Sequence, residues 1–371
     1  MRYFCTYFDR GYLRRGLALY SSLRRHCPAF RLWALCLDEA SHRVLTAMAL
    51  PGVEPIALTE LEGGDAELLR VKGDRSRVEY YFTLTPALPL YIFERWPEVS
   101  LITYLDADLY FFADPRPLFD ELGGGSVAIT PHRFSRRLRH YESHGRYNVG
   151  WVSFRRDASG LACLRWWRER CLEWCYDRAE PGRFADQKYL DEWPRRFAGV
   201  VVIRQRGANL APWNIADATI TAAGDEVRVD GDPLIFFHFH GLRQPRSRIY
   251  NHQLYLYKTR PSPLLLRRIY GPYIRALAAM GRPPAAELAD RFTKTPERQL
   301  GALAAWLAAR GLRSPARLVT RLSEAVMLAR GLLTGSYIVA LGGRLVALGP
   351  AFRPTDLGPA PAGLYMLRDR L

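Results

Sequence analysis

Acidic residues are in short supply in this 371-residue chain: 37 Asp and Glu stand against 53 Lys and Arg, for a net charge of +16. Cysteine is scarcer still. Cys5, Cys27, Cys36, Cys163, Cys171 and Cys175 form no CxxC pair and follow no regular spacing, which argues against a disulfide framework or a zinc site and for a reducing cytoplasm. No signal peptide is expected, because Met1-Arg-Tyr-Phe-Cys-Thr-Tyr-Phe-Asp9 runs into a strand-like pattern without a basic region and apolar core. No membrane-spanning helix is expected either. The longest uncharged apolar stretch near the C-terminus, Gly331 to Gly343, is too short to cross a bilayer and is bracketed by Arg330 and Arg344. Internal repeats are absent.

What is present is globular in character, with 49% hydrophobic and 12% aromatic residues, enough for a large core. The length suits one large domain with an appendage or two of ordinary size. The basic excess is uneven: from Pro261 onward 16 Lys and Arg face 6 Asp and Glu, a surplus of +10. Such a segment attracts phosphate-bearing partners, anionic membrane surfaces and nucleic acid among them; a solvated arginine-rich helical surface explains it equally.

Up to about residue 130, short apolar runs alternate with helical patterns, the signature of βαβ units and a parallel sheet. Strands are expected at Tyr3–Tyr7, Leu32–Leu37, Glu54–Leu58, Leu101–Leu105 and Ser126–Thr130, with helices at Leu13–His26 and Thr83–Arg95. Further strands are expected at Val149–Phe154 and Leu234–His240, around a Trp-rich helix from Leu161 to Cys175. After Pro261 the texture becomes Ala-, Leu- and Arg-rich and helical, with no secure strand pattern and a loose Pro/Gly-rich tail from Gly349 to Gly363. The expected fold is α/β and Rossmann-like: a mixed, mostly parallel sheet with helices on both faces over residues 1–259, then a basic, mainly helical region over 260–371.

Within Leu101-Ile-Thr-Tyr-Leu-Asp-Ala-Asp-Leu-Tyr-Phe-Phe112, strand alternation would put Asp106 and Asp108 on one side and Ala107 on the other. Two carboxylates sharing a small volume repel unless a cation compensates, and hard oxygens suit Mg2+ or Mn2+. The bland alternative is a solvated loop that caps a helix. In Ile235-Phe-Phe-His-Phe-His-Gly241, alternation places His238 and His240 on one face, so that one imidazole could complete a mixed N/O shell; hydrogen-bonded strand-end histidines are the alternative.

Taken in order, these segments resemble the GT-A fold glycosyltransferases related to family 8, the group of glycogenin and the lipopolysaccharide galactosyltransferases. Asp9-Arg-Gly-Tyr12 with Ser22-Leu23 is similar to the group's first strand and helix, Tyr104-Leu-Asp-Ala-Asp108 to its metal motif, and Tyr147-Asn-Val-Gly150 to its Asn-x-Gly segment. Asp186-Gln187 resembles its Asp-Gln pair, Trp213-Asn214 a Trp-Asn segment, and His238-Phe-His-Gly241 a His-x-x-Gly. The resemblance covers roughly residues 1–250. It implies that Tyr7, Asp9 and Tyr12 hold the nucleotide, that Asp106, Ala107 and Asp108 with His238 hold Mn2+ (or Mg2+) and donor, and that Asn148, Gly150, Asp186 and Gln187 surround the transferred sugar. Asn214, Gly241 and Arg77 join the donor site. The group's Lys after His-x-x-Gly is missing here, and Arg243, displaced by one position, stands in its place.

The activity implied is metal-dependent transfer from a nucleotide sugar, a UDP sugar by this resemblance, with retention of configuration, to a glycan or lipid-linked acceptor in cell-surface polysaccharide synthesis. Asp186 and Gln187 are the catalytic candidates. The place implied is the cytoplasm, with peripheral contact to the inner face of an anionic membrane. A nucleotidyltransferase would want a Gly-rich basic loop after the first strand, and Asp9-Arg-Gly-Tyr-Leu-Arg-Arg-Gly16 reads more naturally as a helix entry. A nucleic-acid-binding protein would use the +16 charge, but no recognition motif supports it and no nucleic-acid partner is expected.

Overall fold

The computed structural model describes residues 1–246, 249–281, 337–341, 344–349 and 352–359. The first half of the chain winds up and back across one sheet: β1 (Arg2–Phe8), α1 (Leu13–His26), β2 (Phe30–Cys36), α2 (Glu39–Met48) and β3 (Val53–Ala57). Helices α3 (Leu58–Gly63), α4 (Ala66–Lys72) and α5 (Arg77–Arg95) return the chain to β4 (Leu101–Leu105). Then come β5 (Leu109–Phe111), α6 (Arg116–Leu122), β6 (Val127–Pro131), a 3-10 helix at Arg136–His144 and β7 (Tyr147–Arg155). Helix α7 (Ala158–Glu173) and the short α8 (Trp193–Arg196) lead to β8 (Val200–Val202), and β9 (Ile220–Ala223), β10 (Glu226–Val229), β11 (Asp232–Pro233) and β12 (Phe236–His238) follow.

The main sheet has the order β3-β2-β1-β4-β7-β6-β8. All its neighbours are parallel except β7, which runs antiparallel to both β4 and β6. The expected mixed, mostly parallel sheet flanked by helices is thus the fold. From β1 the chain builds outward through β2 and β3, then crosses back to place β4 on the other side of β1. That reversal opens a crevice at the carboxyl ends of β1 and β4, where open α/β sheets bind their ligands.

Local signals set the helix limits. Helix α5 begins at Arg77, earlier than the Thr83 expected, because Ser76 and Glu79 form a capping box: Ser76 Oγ accepts from Glu79 N at 3.4 Å and the Glu79 carboxylate accepts from Ser76 N at 2.8 Å. Asp157 caps α7 by accepting from Gly160 N at 2.7 Å. One face of the sheet is closed by Leu84, Leu88 and Ile92 of α5 with Trp167 of α7 and Trp193 of α8, all fully buried against Ile102, Val152 and Phe154. Burying such side chains stabilises by roughly 1.5–3 kcal/mol each. The other face carries an aromatic layer in which Trp151 stacks on Phe236 (5.6 Å, 13°) and meets Phe4 and Phe111 edge-on, which locks β12 over the sheet.

Two compact units divide the chain, Met1–His240 and Gly241–Asp369. In the second, β13 (Arg243–Arg246), β14 (Ile249–Asn251), α9 (Pro263–Leu265), a π turn and α10 (Gly271–Ala279) precede β15 (Tyr337–Leu341), β16 (Arg344–Gly349) and β17 (Phe352–Pro359). These five strands make one antiparallel sheet. Among the described residues the C-terminal region is partly helical and also carries this sheet, whose last strand lies in the segment expected to be a loose tail. The signal for β15 and β16 is two apolar runs separated by Gly342-Gly343, a hairpin pattern. Most of the anticipated helical stretch, residues 282–336, lies outside the described residues, as does the end of the chain after Pro359. No helix of the described residues is long and apolar enough to cross a membrane.

Candidate metal centre and active site

The Asp106-Ala107-Asp108 motif is not in a strand. Strand β4 stops at Leu105, Asp106 N donates to Gly150 O at 3.1 Å, and Leu109 N closes a turn on Asp106 O at 3.2 Å. The chain then leaves the main sheet as β5 to form a two-stranded antiparallel ladder with β12, in which Leu109 faces His238. The turn, rather than strand alternation, brings the carboxylates together, and the ladder register delivers the imidazole. His238 Nε2 lies 3.0 Å from Asp108 Oδ1 and 3.6 Å from Asp106 Oδ2. His240 joins them: one ligating atom each of Asp108, His238 and His240 lie within 4.8 Å of one another.

Burial pushes the Asp106 carboxyl up, His238 opposes this and Asp108 adds to it, while Tyr104 Oη donates to Asp106 Oδ1 at 2.9 Å. Burial would raise Asp108 too, but the His238 charge and hydrogen bond outweigh it and hold this carboxyl below its ordinary range. His238 is raised in turn, its two carboxylates overcoming burial. Asp108, His238 and His240, with Asp106 3.6 Å from His238, make a mixed oxygen and nitrogen donor set able to hold a divalent cation. Asp108 and His238 keep only 13% and 3% side-chain exposure, so the pair is shielded from competing solvent.

Asn148 supports the cluster from behind. Its Oδ1 accepts from Gly150 N at 3.0 Å and lies 3.2 Å from His238 Nδ1, while its Nδ2 lies 3.3 Å from both His132 Nε2 and Gln187 Oε1. The register of β6 and β7 shifts between Ile129 and Thr130, which makes room for this arrangement. At Gly150 a Cβ would fall 2.6 Å from Asn148 Oδ1 and 2.9 Å from His238 Nδ1, so the imidazole packs where any side chain would be. Burial, with the His238 charge adding to it, pushes the His132 imidazole down to about 3 and keeps it neutral. Trp213 meets His132, His238 and His240 edge-on at 5.2, 5.1 and 5.7 Å. Asn214 spends its amide on this scaffold, donating to His132 O and Asn209 O at 2.9 Å each and accepting from Ala211 N.

Asp186 is 2% exposed and follows Ala185, which is held at φ 46°, a left-handed conformation costly for a residue with a Cβ. Trp167 Nε1 donates to Asp186 O at 2.8 Å. Burial pushes the Asp186 carboxyl up to about 7, against a hydrogen bond from Thr85 and with help from the Asp106 charge. Thr85 Oγ1 is also 3.1 Å from Tyr7 Oη, and the Tyr7 and Tyr104 rings lie 5.5 Å apart at the ends of β1 and β4. Burial raises both phenols well above the ordinary tyrosine range. A buried series of hydroxyls thus joins Asp186 to Asp106 across the crevice. Gln187 Nε2 donates to His144 O at 3.1 Å.

On the crevice's outer side Asp9 Oδ1 accepts from Gly11 N and Tyr12 N at 2.9 and 3.2 Å, and Arg77 Nη2 approaches Asp9 Oδ2 at 3.5 Å. Tyr12 is 45% exposed, with the Arg15 guanidinium 4.2 Å from its ring centroid. Glu79 and Tyr80, neighbours of Arg77, have structural work instead: Glu79 caps α5 and Tyr80 Oη donates to buried Glu62 at 2.8 Å. Gly241 (φ +78°) and Arg243 fall in the second unit, where Arg243 opens β13 opposite Asn251.

The structure therefore gathers Asp106, Ala107, Asp108, Asn148, Gly150, Asp186, Gln187 and His238 around one centre, with Tyr7 linked to it through Thr85. Asp9, Tyr12 and Arg77 form a second group. The sequence gives no signal for Thr85 and His132, which carry no motif of their own; Trp213 was visible in the Trp213-Asn214 segment and His240 in the His-Phe-His pattern, but neither was given a role.

No family model matches the chain. Its sequence is 33% identical over 275 residues to the uncharacterized protein YfnD of Bacillus subtilis (strain 168), spanning 73% of this chain and 87% of that one. The uncharacterized protein YfnF of the same organism is 36% identical over 248 residues, 65% and 81% of the two chains. Among solved structures, galactosyltransferase LgtC with donor and acceptor sugar analogs is 19% identical over 66% of this chain and 88% of its own, with a TM-score of 0.42. Mouse xyloside xylosyltransferase 1 is 15% identical over 65% and 98%, with a TM-score of 0.43. The bifunctional glycosyltransferase WbbM is 14% identical over 75% and 49%, with a TM-score of 0.46. By its identity to YfnD across most of both sequences, the chain belongs to the family of the Bacillus subtilis proteins YfnD and YfnF.

Proposed function

We propose that the protein is a metal-dependent glycosyltransferase of the GT-A, family 8 type that uses a nucleotide sugar, a UDP sugar by its motifs, and retains anomeric configuration. The observation that carries the reading is the convergence of Asp108, His238 and His240, with Asp106 3.6 Å from His238 and Gln187 joined to it through Asn148, at the crevice between β1 and β4. A divalent cation held by Asp106, Asp108 and the two histidines would supply Lewis-acid stabilisation of the departing diphosphate. Asp9, Tyr12 and Arg77 present a carboxylate, an aromatic ring and a cation for base and ribose. Asp186 and Gln187 orient the sugar, and their fixed backbone holds it for attack by the acceptor hydroxyl. An acceptor that is a glycan or lipid-linked glycan, and a place at the inner face of the membrane favoured by the +10 C-terminal region, belong to the same proposal.

The test is release of nucleotide from a panel of UDP, GDP, CMP and dTDP sugars with Mn2+ or with chelator, in wild type and Asp108→Ala. Mn2+-dependent release from one class of donor, lost in the variant, supports the transferase; no release and no metal-dependent nucleotide binding would sink it.

A further inference from the structure

Between β6 and β7 the chain reads Arg136-Arg-Leu-Arg-His-Tyr-Glu-Ser-His-Gly-Arg146, with Glu142 its one acidic residue. The segment is built onto the candidate active site at both ends. Gln187 Nε2 donates to His144 O at 3.1 Å, Lys188 Nζ donates to Glu142 O at 2.9 Å, and Arg146 N donates to Asp191 at 2.7 Å. At the other end Ser135 N donates to Trp213 O at 3.0 Å and Arg136 N to Asp217 at 2.7 Å, while Leu138 is fully buried as an anchor. It therefore bridges the Gln187 turn and the Trp213 loop that backs the histidines, and forms a rim of the site.

What this rim shows to solvent is unusual for a structural connector. Arg137, Arg139 and Arg146 are exposed, and among the described residues their guanidinium groups have no acidic partner; Arg136 has only Asp217 at 4.0 Å. Asp191, the other nearby acid, is engaged by Lys188 at 2.8 Å. Beside them Tyr141 is 40% exposed, with its ring set against His140 at 4.3 Å and Phe134 at 6.1 Å. Exposed guanidinium groups without an acidic partner, on the same short segment as a partly exposed aromatic ring, match a sugar ring that carries oxyanions: the ring stacks on the aromatic and the oxyanion takes paired N–H donors.

We propose that the Arg136–Arg146 segment is the acceptor platform and that the acceptor is an anionic glycan, with Tyr141 receiving a sugar face and Arg137 and Arg139 its carboxylate or phosphate. This rests on the transferase reading for the word acceptor, and on the surface alone for the binding.

Calorimetric titration with trigalacturonate, glycerol phosphate oligomer and neutral maltotriose tests it, at low and high salt, in wild type, Arg137→Gln/Arg139→Gln and Tyr141→Ala. One of the two anionic probes is expected to bind at least about tenfold more tightly than maltotriose, and the double variant to lose about ten- to a hundredfold for that probe alone. Tyr141→Ala should weaken binding of charged and neutral saccharides alike. Equal affinity for charged and neutral probes, or anionic binding indifferent to the double variant, overturns the proposal. So does arginine-dependent binding to phosphatidylglycerol vesicles with no oligosaccharide binding, which would make the face a membrane contact. Nucleotide release and metal-dependent nucleotide binding measured on the same samples separate the two readings: preserved release with no saccharide preference removes the platform, and arginine-dependent saccharide binding with neither release nor nucleotide binding removes the transferase.

Discussion

Asn148 Oδ1 lies 3.2 Å from His238 Nδ1 while accepting from Gly150 N at 3.0 Å. Because the Gly150 N–H can only donate, the Asn148 atom facing it must be oxygen, so His238 Nδ1 carries its hydrogen and Nε2 is turned to Asp108 at 3.0 Å. The other end of the same amide donates toward His132 Nε2 and Gln187 Oε1, both at 3.3 Å, so one side chain sets the tautomer of one histidine and touches Gln187. Asn148→Leu is expected to weaken Mn2+ binding about 10- to 100-fold, as loss of a ligand-orienting partner does. Manganese titration followed by electron paramagnetic resonance measures it, and unchanged affinity would mean that the ladder alone holds the imidazole.

A metal ion held at this cluster would compete with a proton for His238 Nε2. Metal-free, Asp108 sits below the ordinary carboxylate range because the His238 charge outweighs burial, and His238 is raised because its carboxylates outweigh burial. The Asp108 contribution to stability is present above its unfolded pKa and fades as pH falls through the lowered one. The His238 contribution is complete below its unfolded pKa and fades as pH rises through the raised one. Mn2+ affinity should therefore climb from pH 6 to pH 8 with release of about one proton. Titration in buffers of different ionisation enthalpy counts that proton; a flat pH profile would remove His238 from the ligand set.

For Asp186 the sign is opposite to that of Asp108. Its carboxyl is raised to about 7 mainly by burial, so between its unfolded pKa and 7 the folded state holds a proton that the unfolded state has lost, and stability falls as pH rises. Asp186→Asn removes that penalty. In chelator the variant should be more stable than wild type at pH 8, by on the order of 4 kcal/mol, with the gain shrinking toward pH 4. On the transferase reading the same variant should lose nucleotide release, the usual trade between stability and activity. Urea unfolding across pH reads the first effect; a pH-independent difference would mean that Asp186 is ionised in the fold.

The sheet was legible in the sequence because its strands are short apolar runs at βαβ spacing, and helix α1 spans Leu13–His26 as its apolar periodicity indicates. The metal motif was legible as composition but not as geometry: periodicity alone continues β4 through Asp106, whereas tertiary pairing with β12 turns the chain there. Thr85 was out of reach for the same reason. It sits inside α5 between apolar neighbours, and only the packing of that helix against β1 brings its hydroxyl to Tyr7 and Asp186. The second unit's strands were missed because texture was weighed over the Gly342-Gly343 pair that separates two of them.

Gly150 offers the sharpest separation of site geometry from fold. A methyl group there would lie 2.6 Å from Asn148 Oδ1, 2.9 Å from His238 Nδ1 and 3.0 Å from His238 Cε1, so Gly150→Ala must push aside either the amide or the imidazole. Overpacking of a buried site costs about 1–3 kcal/mol, and since both neighbours serve the ligand set, the variant should lose Mn2+ affinity along with stability. Gly124, in the same unit, has nothing within 4 Å of its would-be Cβ and no positive φ. Gly124→Ala should stay within about 0.5 kcal/mol of wild type and bind Mn2+ normally. Paired thermal unfolding and Mn2+ titration of the two variants decide the matter. If Gly150→Ala binds Mn2+ as wild type does, His238 has another seat available, and its placement by the β5 and β12 ladder is looser than the 3.0 Å contact with Asp108 implies.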